Sequence, residues 1–369
     1  MSASSSQTAG DGRKPAQMRR VGVLTFHRCI NYGSYWQARC LVEGLRAQGH
    51  EAVLLDHDSA GVRRAELRCA LSPTLPRRTR RADLPRYAAK VRRFERDFER
   101  LPCSRRFPLD APEAAEEQDM VLVGSDEVWN FRHPWYGSRP IFFGEGLRAG
   151  RISAYAASFG NHDARDGIHP AWAERLRSFG AVSVRDENSR ALLAGAIGTA
   201  PPVVLDPCLQ FPPRPAEAEE AAQPYAVIYG HSFPEWFARK ISAWARRAGR
   251  RLVSVGYRND WADEQRIEAG PEDFRHLIAG AKAVVTNFFH GCICAVLNDR
   301  PFACAPSDYR FNKVADLTAR LGLEGNLVTH ATPSATYSGI LDSPPGEQAA
   351  ARLETARARS DRFLAAALA

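Results

Sequence analysis

The stretch VVTNFFHGCICAVL, residues 284–297, decides how this chain is read, and His290 stands at its centre. Val284, Val285 and Thr286 have the apolar, β-branched character of the end of a buried strand. Phe288 to Gly291 read as a tight crossing, and Cys292 to Leu297 as the first turns of an apolar helix. The result is a strand–turn–helix junction. Open α/β sheets bind ligands at the carboxyl ends of their strands, where helix N-termini present free N–H groups and partial positive charge. A histidine in such a turn, followed by a glycine that allows close approach, is placed to hold an anion or move a proton. It would equally serve as a core histidine bonded to a carbonyl, and the stretch alone leaves both open.

Toward the N-terminus the same unit recurs. RVGVLTF (20–26) is an apolar run of strand type, HRCINYGSY (27–35) a loop, and WQARCLVEGLRAQGH (36–50) a helix ending near Gly49. EAVLLD (51–56) follows as a strand and completes a βαβ unit. Asn31, Tyr32, Gly33 and Ser34 therefore fall at the carboxyl end of the first strand, where a ligand is expected, although NYGS is also ordinary turn chemistry. QDMVLVGSDEVWN (118–130) repeats the pattern, with Ser125, Asp126 and Glu127 in a polar turn that suits a helix cap or a ligand hydroxyl. RISAYAASFG (151–160) gives another strand with Ser158 and Gly160 at its tip. AVSVRDENS (181–189) places Arg185 at a strand end, where its planar fork suits a carboxylate or phosphate, or else a salt bridge to Asp186 or Glu187. VVLDPCLQF (203–211) reads as a further strand broken at Pro207.

PPRPAEAEEAAQP (212–224) has the composition of a linker. YAVIYGHS (225–232), a helix from Glu235 to Ala248 and RLVSVGY (251–257) then form a second strand–helix–strand unit. GPEDFRHLIAGAK (270–282) is a short helix leading into the His290 strand, RPFACAP (300–306) is the next strand, and Lys313 lies in the helix NKVADLTARLGL (312–323). The expected fold is α/β, with two Rossmann-like domains at 20–211 and 225–346, a ligand cleft between them, and a terminal helix over 347–369. Residues 1–19 are expected to be a disordered tail, since their polar sequence lacks the apolar core of a signal peptide.

Composition narrows the class. The 369 residues suffice for two cores, 25% are charged and 44% hydrophobic, and no apolar run approaches the roughly 20 residues of a spanning helix. The eight cysteines show no paired metal spacing, so reduced, mostly buried thiols in a cytoplasmic protein are expected, without a metal. The net charge of +8 is uneven: Arg63 to Arg106 holds fourteen arginines against five acidic residues. Within this segment YAAKVRRFERDFERL (87–101) reads as an amphipathic helix with a solvated basic face. Without an aromatic platform or zinc-finger spacing, nucleic acid is not expected, and segment 62–106 is read as open to an acidic ligand or peripheral membrane contact. Oligomeric state is not legible.

Taken in order, VLTFHRCINYGSYWQA, DMVLVGSDEVWN, SAYAASFG, VSVRDENS, VVLDPCLQF, GPEDFRHLIAGAKAVVTNFFHGCICAVL and YRFNKVADLTARLGL resemble the polysaccharide pyruvyl transferase family over residues 21–323. The resemblance implies a fold like that of the two-domain B-type glycosyltransferases. It implies phosphoenolpyruvate as co-substrate, no further cofactor, and transfer of a pyruvyl group onto hydroxyls of a saccharide as a ketal, releasing phosphate. His290 matches the family's phenylalanine–histidine–glycine motif and is the implied proton donor or phosphate stabiliser. Arg185 matches the arginine of the SVR motif and Lys313 the lysine beyond the histidine; with Asn287 and Gly291 they form the implied donor side. Asp126 is the implied base or partner of the acceptor hydroxyl, with Asn31, Tyr32, Gly33, Ser34, Ser125 and Glu127 on the acceptor side.

Two departures stand out. Some members carry an arginine immediately before the histidine, where this chain has Phe288 and Phe289, and many have serine at Asn287 and glutamine at Glu127. A cation is therefore expected to be missing from the phosphate pocket. The alternatives are a same-family transferase acting on a small metabolite, a nucleotide-sugar glycosyltransferase on the similar fold, and a binding protein without catalysis.

Overall fold

The computed structural model describes residues 18–73, 78–217 and 223–369. Most of the expected tail and the middle of the expected linker lie outside these residues. Two all-parallel five-stranded sheets organise the chain. In the first, β1 (Arg20–Leu24), β2 (Glu51–Leu54), β3 (Gln118–Val123), β4 (Ala149–Ala157) and β5 (Val182–Val184) run in the order β2-β1-β3-β4-β5. In the second, β6 (Tyr225–Tyr229), β7 (Arg251–Val255), β8 (Glu264–Arg266), β9 (Ala283–Thr286) and β10 (Phe302–Cys304) run in the order β8-β7-β6-β9-β10. This is a two-domain Rossmann-like fold, as expected.

The strands are apolar on both faces because helices cover both. Val23, Met120 and Leu122 face a central core cluster, whereas their neighbours Leu24, Val121 and Val123 face an outer one. In the second sheet Val284 faces that same central cluster, and Ala283 and Val285 a third. The central cluster is therefore continuous between the two sheets, and the cleft above it has a rigid floor.

Several elements fasten the halves together. α1 (Tyr32–Ala47) belongs to the first half, but Tyr32 Oη donates to Ala269 O at 2.6 Å and Trp36 Nε1 to Pro271 O at 3.3 Å. α2 (Gly346–Leu368) returns from the second half onto the first, where Leu205 N donates to Ser360 Oγ at 3.0 Å and Arg357 Nε to Leu209 O at 2.8 Å. No helix among the described residues is long and apolar enough to cross a membrane.

Four local readings change. α1 starts at Tyr32 rather than at Trp36, because Asn31 caps it by accepting from Gly33 N at 2.8 Å and Ser34 N at 3.3 Å. Residues 203–211 are not a strand: Val203 makes a single bridge to Val184, and Asp206 then caps a short helix, Pro207–Gln210, whose first residue is the proline. The polar segment Glu264–Arg266 is an edge strand that no hydrophobic pattern announced. The basic helix is Leu84–Phe98, and its polar face is not simply solvated. Arg86 pairs with Glu268 at 2.8 Å, Arg93 pairs with Asp273, and Lys90 is buried with Nζ donating to Gly256 O at 3.1 Å.

That helix is thus part of the central core. Phe94, fully buried against Tyr32 and Phe98, is its anchor. We expect Phe94→Ala to cost about 3–5 kcal/mol in urea unfolding and Arg92→Ala, on the exposed face, to stay within about 0.5 kcal/mol. Equal, small effects would mean that the helix is a detachable appendage.

Candidate active site

In parallel sheets the natural binding crevice lies where the strand order reverses. The first sheet reverses between β1 and β3, the second between β6 and β9, and the two switch points face each other across the cleft. A cavity of about 280 Å³ lies there. Its walls include Asn31 and Ser34 from the start of α1, Asp126 and Glu127 after β3, Tyr229 at the end of β6, and His290 after β9.

His290 stands in the first turn of a helix, Phe289–Leu297, that no side chain caps. Its Nε2 is buried and lies 3.5 Å from Asp206 Oδ2, beyond a good hydrogen bond. The other edge of the ring lies against Gly33: a Cβ added there would sit 2.2 Å from His290 Nδ1. Only glycine at that position lets the histidine occupy its place.

Behind His290 lies a buried charge network. Arg185, whose side chain is 1% exposed, donates to Asp206 Oδ2 at 2.9 Å, Asp126 Oδ1 at 3.1 Å and Ser125 Oγ at 3.3 Å. Asp126 also accepts from Ser34 Oγ at 2.7 Å and from Glu127 N at 2.9 Å. Burial pushes the Asp206 carboxyl up, but His290, Arg185 and the Cys208 N–H together hold it well below the usual carboxylate range.

On the opposite wall Lys313 pairs with Glu127 Oε1, while Glu127 Oε2 accepts from Asn130 Nδ2 at 2.8 Å and Tyr309 Oη at 2.9 Å. Burial raises the Glu127 carboxyl, yet Lys313, Arg185 and Asn130 hold it well below its ordinary value. His133 completes this side. Its Nδ1 accepts from Trp135 N at 3.3 Å and Tyr136 N at 3.1 Å, which places the proton of the neutral ring on Nε2. Burial lowers its pKa, so the ring stays neutral.

A sequence model of the family "Polysaccharide pyruvyl transferase" matches residues 31–309. The chain belongs to this family. No curated protein matches it. Among solved structures it is similar to the S. aureus MnaA–UDP co-structure, at 11% identity over 94% of this chain and 97% of that one, with a TM-score of 0.48. It is also similar to the Streptomyces sp. SF2575 glycosyltransferase SsfS6 complexed with thymidine diphosphate, at 14% identity over 93% and 96% of the two chains, with a TM-score of 0.45. At these identities and scores the likenesses bear on neither substrate nor mechanism.

The fold gathers most of the expected site residues in one place. His290, Asp126, Arg185, Lys313, Asn31, Ser34 and Glu127 all line the cavity. Four other expected residues lie behind it. Tyr32 is 1% exposed and stacks on Phe274 with ring centroids 4.4 Å apart. Ser125 is fully buried, its hydroxyl donating to Ala156 O at 3.0 Å. Asn287 donates to His231 O at 2.7 Å. Gly291 permits helix–strand packing, since a Cβ there would meet Thr286 Oγ1 at 2.1 Å. Asp206, His133, Tyr309 and Arg310 were missed. Asp206 lay inside a run read as a strand, and no local pattern joins His133 or Arg310 to residues so distant in sequence.

Asp206, Cys208 and His290 offer three metal-ligating atoms within 4.8 Å of one another. They fit a cation poorly. Asp206 already binds the Arg185 guanidinium, and burial, with Cys40 beside it, pushes the Cys208 thiol well above its ordinary value, away from the thiolate that a metal needs.

Two outcomes follow. Gly33→Ala displaces His290 and should lower turnover by about a hundredfold with little loss of thermal stability; an unchanged rate would show that the ring can sit elsewhere. Because the folded Asp206 pKa is depressed, its ionised form stabilises the fold above the unfolded value of 3.8, and this contribution is lost as pH falls through the folded value. The stability advantage of wild type over Asp206→Asn should therefore be flat between about pH 5 and 8 and shrink below about pH 4; an advantage that grows on acidification would contradict the assignment.

Proposed function

We propose that this family member transfers the pyruvyl group of phosphoenolpyruvate to two hydroxyls of a saccharide, forming a ketal and releasing phosphate. The observation that carries the reading is a small cleft with cationic groups on its walls, His290 at its floor and Asp206 fixed behind the ring. Phosphoenolpyruvate needs a proton at its methylene carbon. Protonation leaves a cation-like centre at C2, which the first acceptor hydroxyl attacks; loss of phosphate and attack by the second hydroxyl close the ketal. The two hydroxyl protons balance the methyl group and the departing phosphate.

His290 is the proposed proton donor. With Nε2 turned to Asp206, Nδ1 is left beside Gly33, and the residue lines the cleft together with Asn31 and Ser34. Asp206 is a positioning residue, and Arg185 positions Asp206 and Asp126 in turn, because its charge is already matched by both. Lys313 keeps two N–H donors beyond the one on Glu127 and is the proposed ligand of the donor's carboxylate. The acceptor is proposed to enter on the Ser34–Asp126 side, where Asp126 serves better as a hydrogen-bond partner than as a base, since both its oxygens already accept.

A nucleotide sugar fits this cleft less well. The ground beyond the carboxyl end of β7 is occupied: a Cβ on Gly256 would meet Tyr32 at 2.6 Å, and Lys90 binds the Gly256 carbonyl. At a hundred times its dissociation constant, phosphoenolpyruvate should stabilise the protein by about 2.7 kcal/mol, read as a rise in Tm, while uridine and thymidine diphosphate sugars give none. Stabilisation by a nucleotide sugar and not by phosphoenolpyruvate would overturn the reading.

A further inference from the structure

The cations of the cleft are unequal. Arg185 is matched by Asp126 and Asp206, and Lys313 by Glu127. Arg310 also lines the cavity, but among the described side chains, which do not include that of Asp308, it forms no ion pair; its hydrogen bond goes to the neutral Ser307 Oγ at 3.2 Å. Its guanidinium lies 4.5 Å from the centre of the Phe288 ring and 5.5 Å from that of Tyr309. Such stacking holds the planar group in position while leaving its edge N–H donors free.

Three further features mark this part of the cleft as electropositive. Arg310 precedes an eleven-residue helix, Phe311–Leu321, whose N-terminus no side chain caps. Phe288, the ring beneath it, stands at the equally uncapped N-terminus of the His290 helix. The uncompensated charge also reaches its neighbours: burial first, then Arg310, pushes the His231 imidazole down to about 4.

We propose that Arg310 is the phosphate ligand of this cleft, supplying from the turn after β10 the cation that Phe288 and Phe289 leave out of the histidine motif. The proposal deepens the phosphoenolpyruvate reading and rests on it for the identity of the donor, but the phosphate-binding role itself also covers free inorganic phosphate, the released product. Lys313 then faces the carboxylate end and Arg310 the phosphate end. The scissile C–O bond lies between them, and the charge that grows on the departing phosphate is met by a fork of two N–H groups.

The test is calorimetric titration of full-length protein with three probes, phosphoenolpyruvate, inorganic phosphate and pyruvate, on wild type, Arg310→Ala, Arg310→Lys and Phe288→Leu. Arg310→Ala should weaken phosphoenolpyruvate and inorganic phosphate at least tenfold and leave pyruvate within twofold. Arg310→Lys should recover part of the loss, and Phe288→Leu should weaken both phosphate-bearing probes with Arg310 still present. Wild-type binding of inorganic phosphate without phosphoenolpyruvate would sink the donor reading while the Arg310 comparison still stands. Unchanged phosphate affinity in Arg310→Ala, equal losses for phosphate and pyruvate, or no phosphate binding by wild type would overturn the Arg310 assignment.

Discussion

The site depends on one buried guanidinium. Arg185 is nearly without solvent contact, and a charge in that position persists only where carboxylates and hydrogen bonds match it. The match is supplied from two segments far from Arg185 in sequence: Asp126 and Ser125 after β3, and Asp206 before the short helix. These partners fix the carboxylate against which His290, from the other sheet, is set. Removing Asp206 therefore unbalances a buried cation and releases the histidine together, which couples the stability of the first half to the chemistry of the second.

The second constraint is the closeness of the halves. Gly33 accepts the His290 ring, Gly256 accepts the Tyr32 ring, and the basic helix Leu84–Phe98 lies across the boundary with Lys90 at its centre. Lys90 lies 4.5 Å from the centre of the Tyr257 ring and 5.0 Å from that of Tyr32, and burial holds its pKa at about 7 despite Glu66. Part of the arginine-rich segment thus serves internal pairing, with Arg80, Arg86 and Arg93 reaching acids of the second half.

Much of this was legible in the sequence, for physical reasons. Parallel strands covered on both faces leave continuous apolar runs, so β1, β3, β6 and β9 announce themselves, and so do the polar turns at their ends. β8 did not, because an edge strand of Glu264, Gln265 and Arg266 has no buried face to pattern. His290, Asp126, Arg185 and Lys313 stood in motifs, but their partners did not: Asp206 fell inside a run read as a strand, whereas it caps a short helix, with Cys208 N donating to Oδ1 at 3.0 Å while Oδ2 accepts from Arg185. Arg310 was invisible because its place rests on Phe288, a fact of three-dimensional contact alone.

The most direct measurement is a crystal structure of the protein with phosphoenolpyruvate bound. The account predicts the ligand between the two switch points, its methylene carbon within about 4 Å of His290 and its phosphate within hydrogen-bond distance, about 3 Å, of Arg310. Phosphoenolpyruvate bound elsewhere, or in the cleft with its methylene carbon turned away from His290, would contradict it.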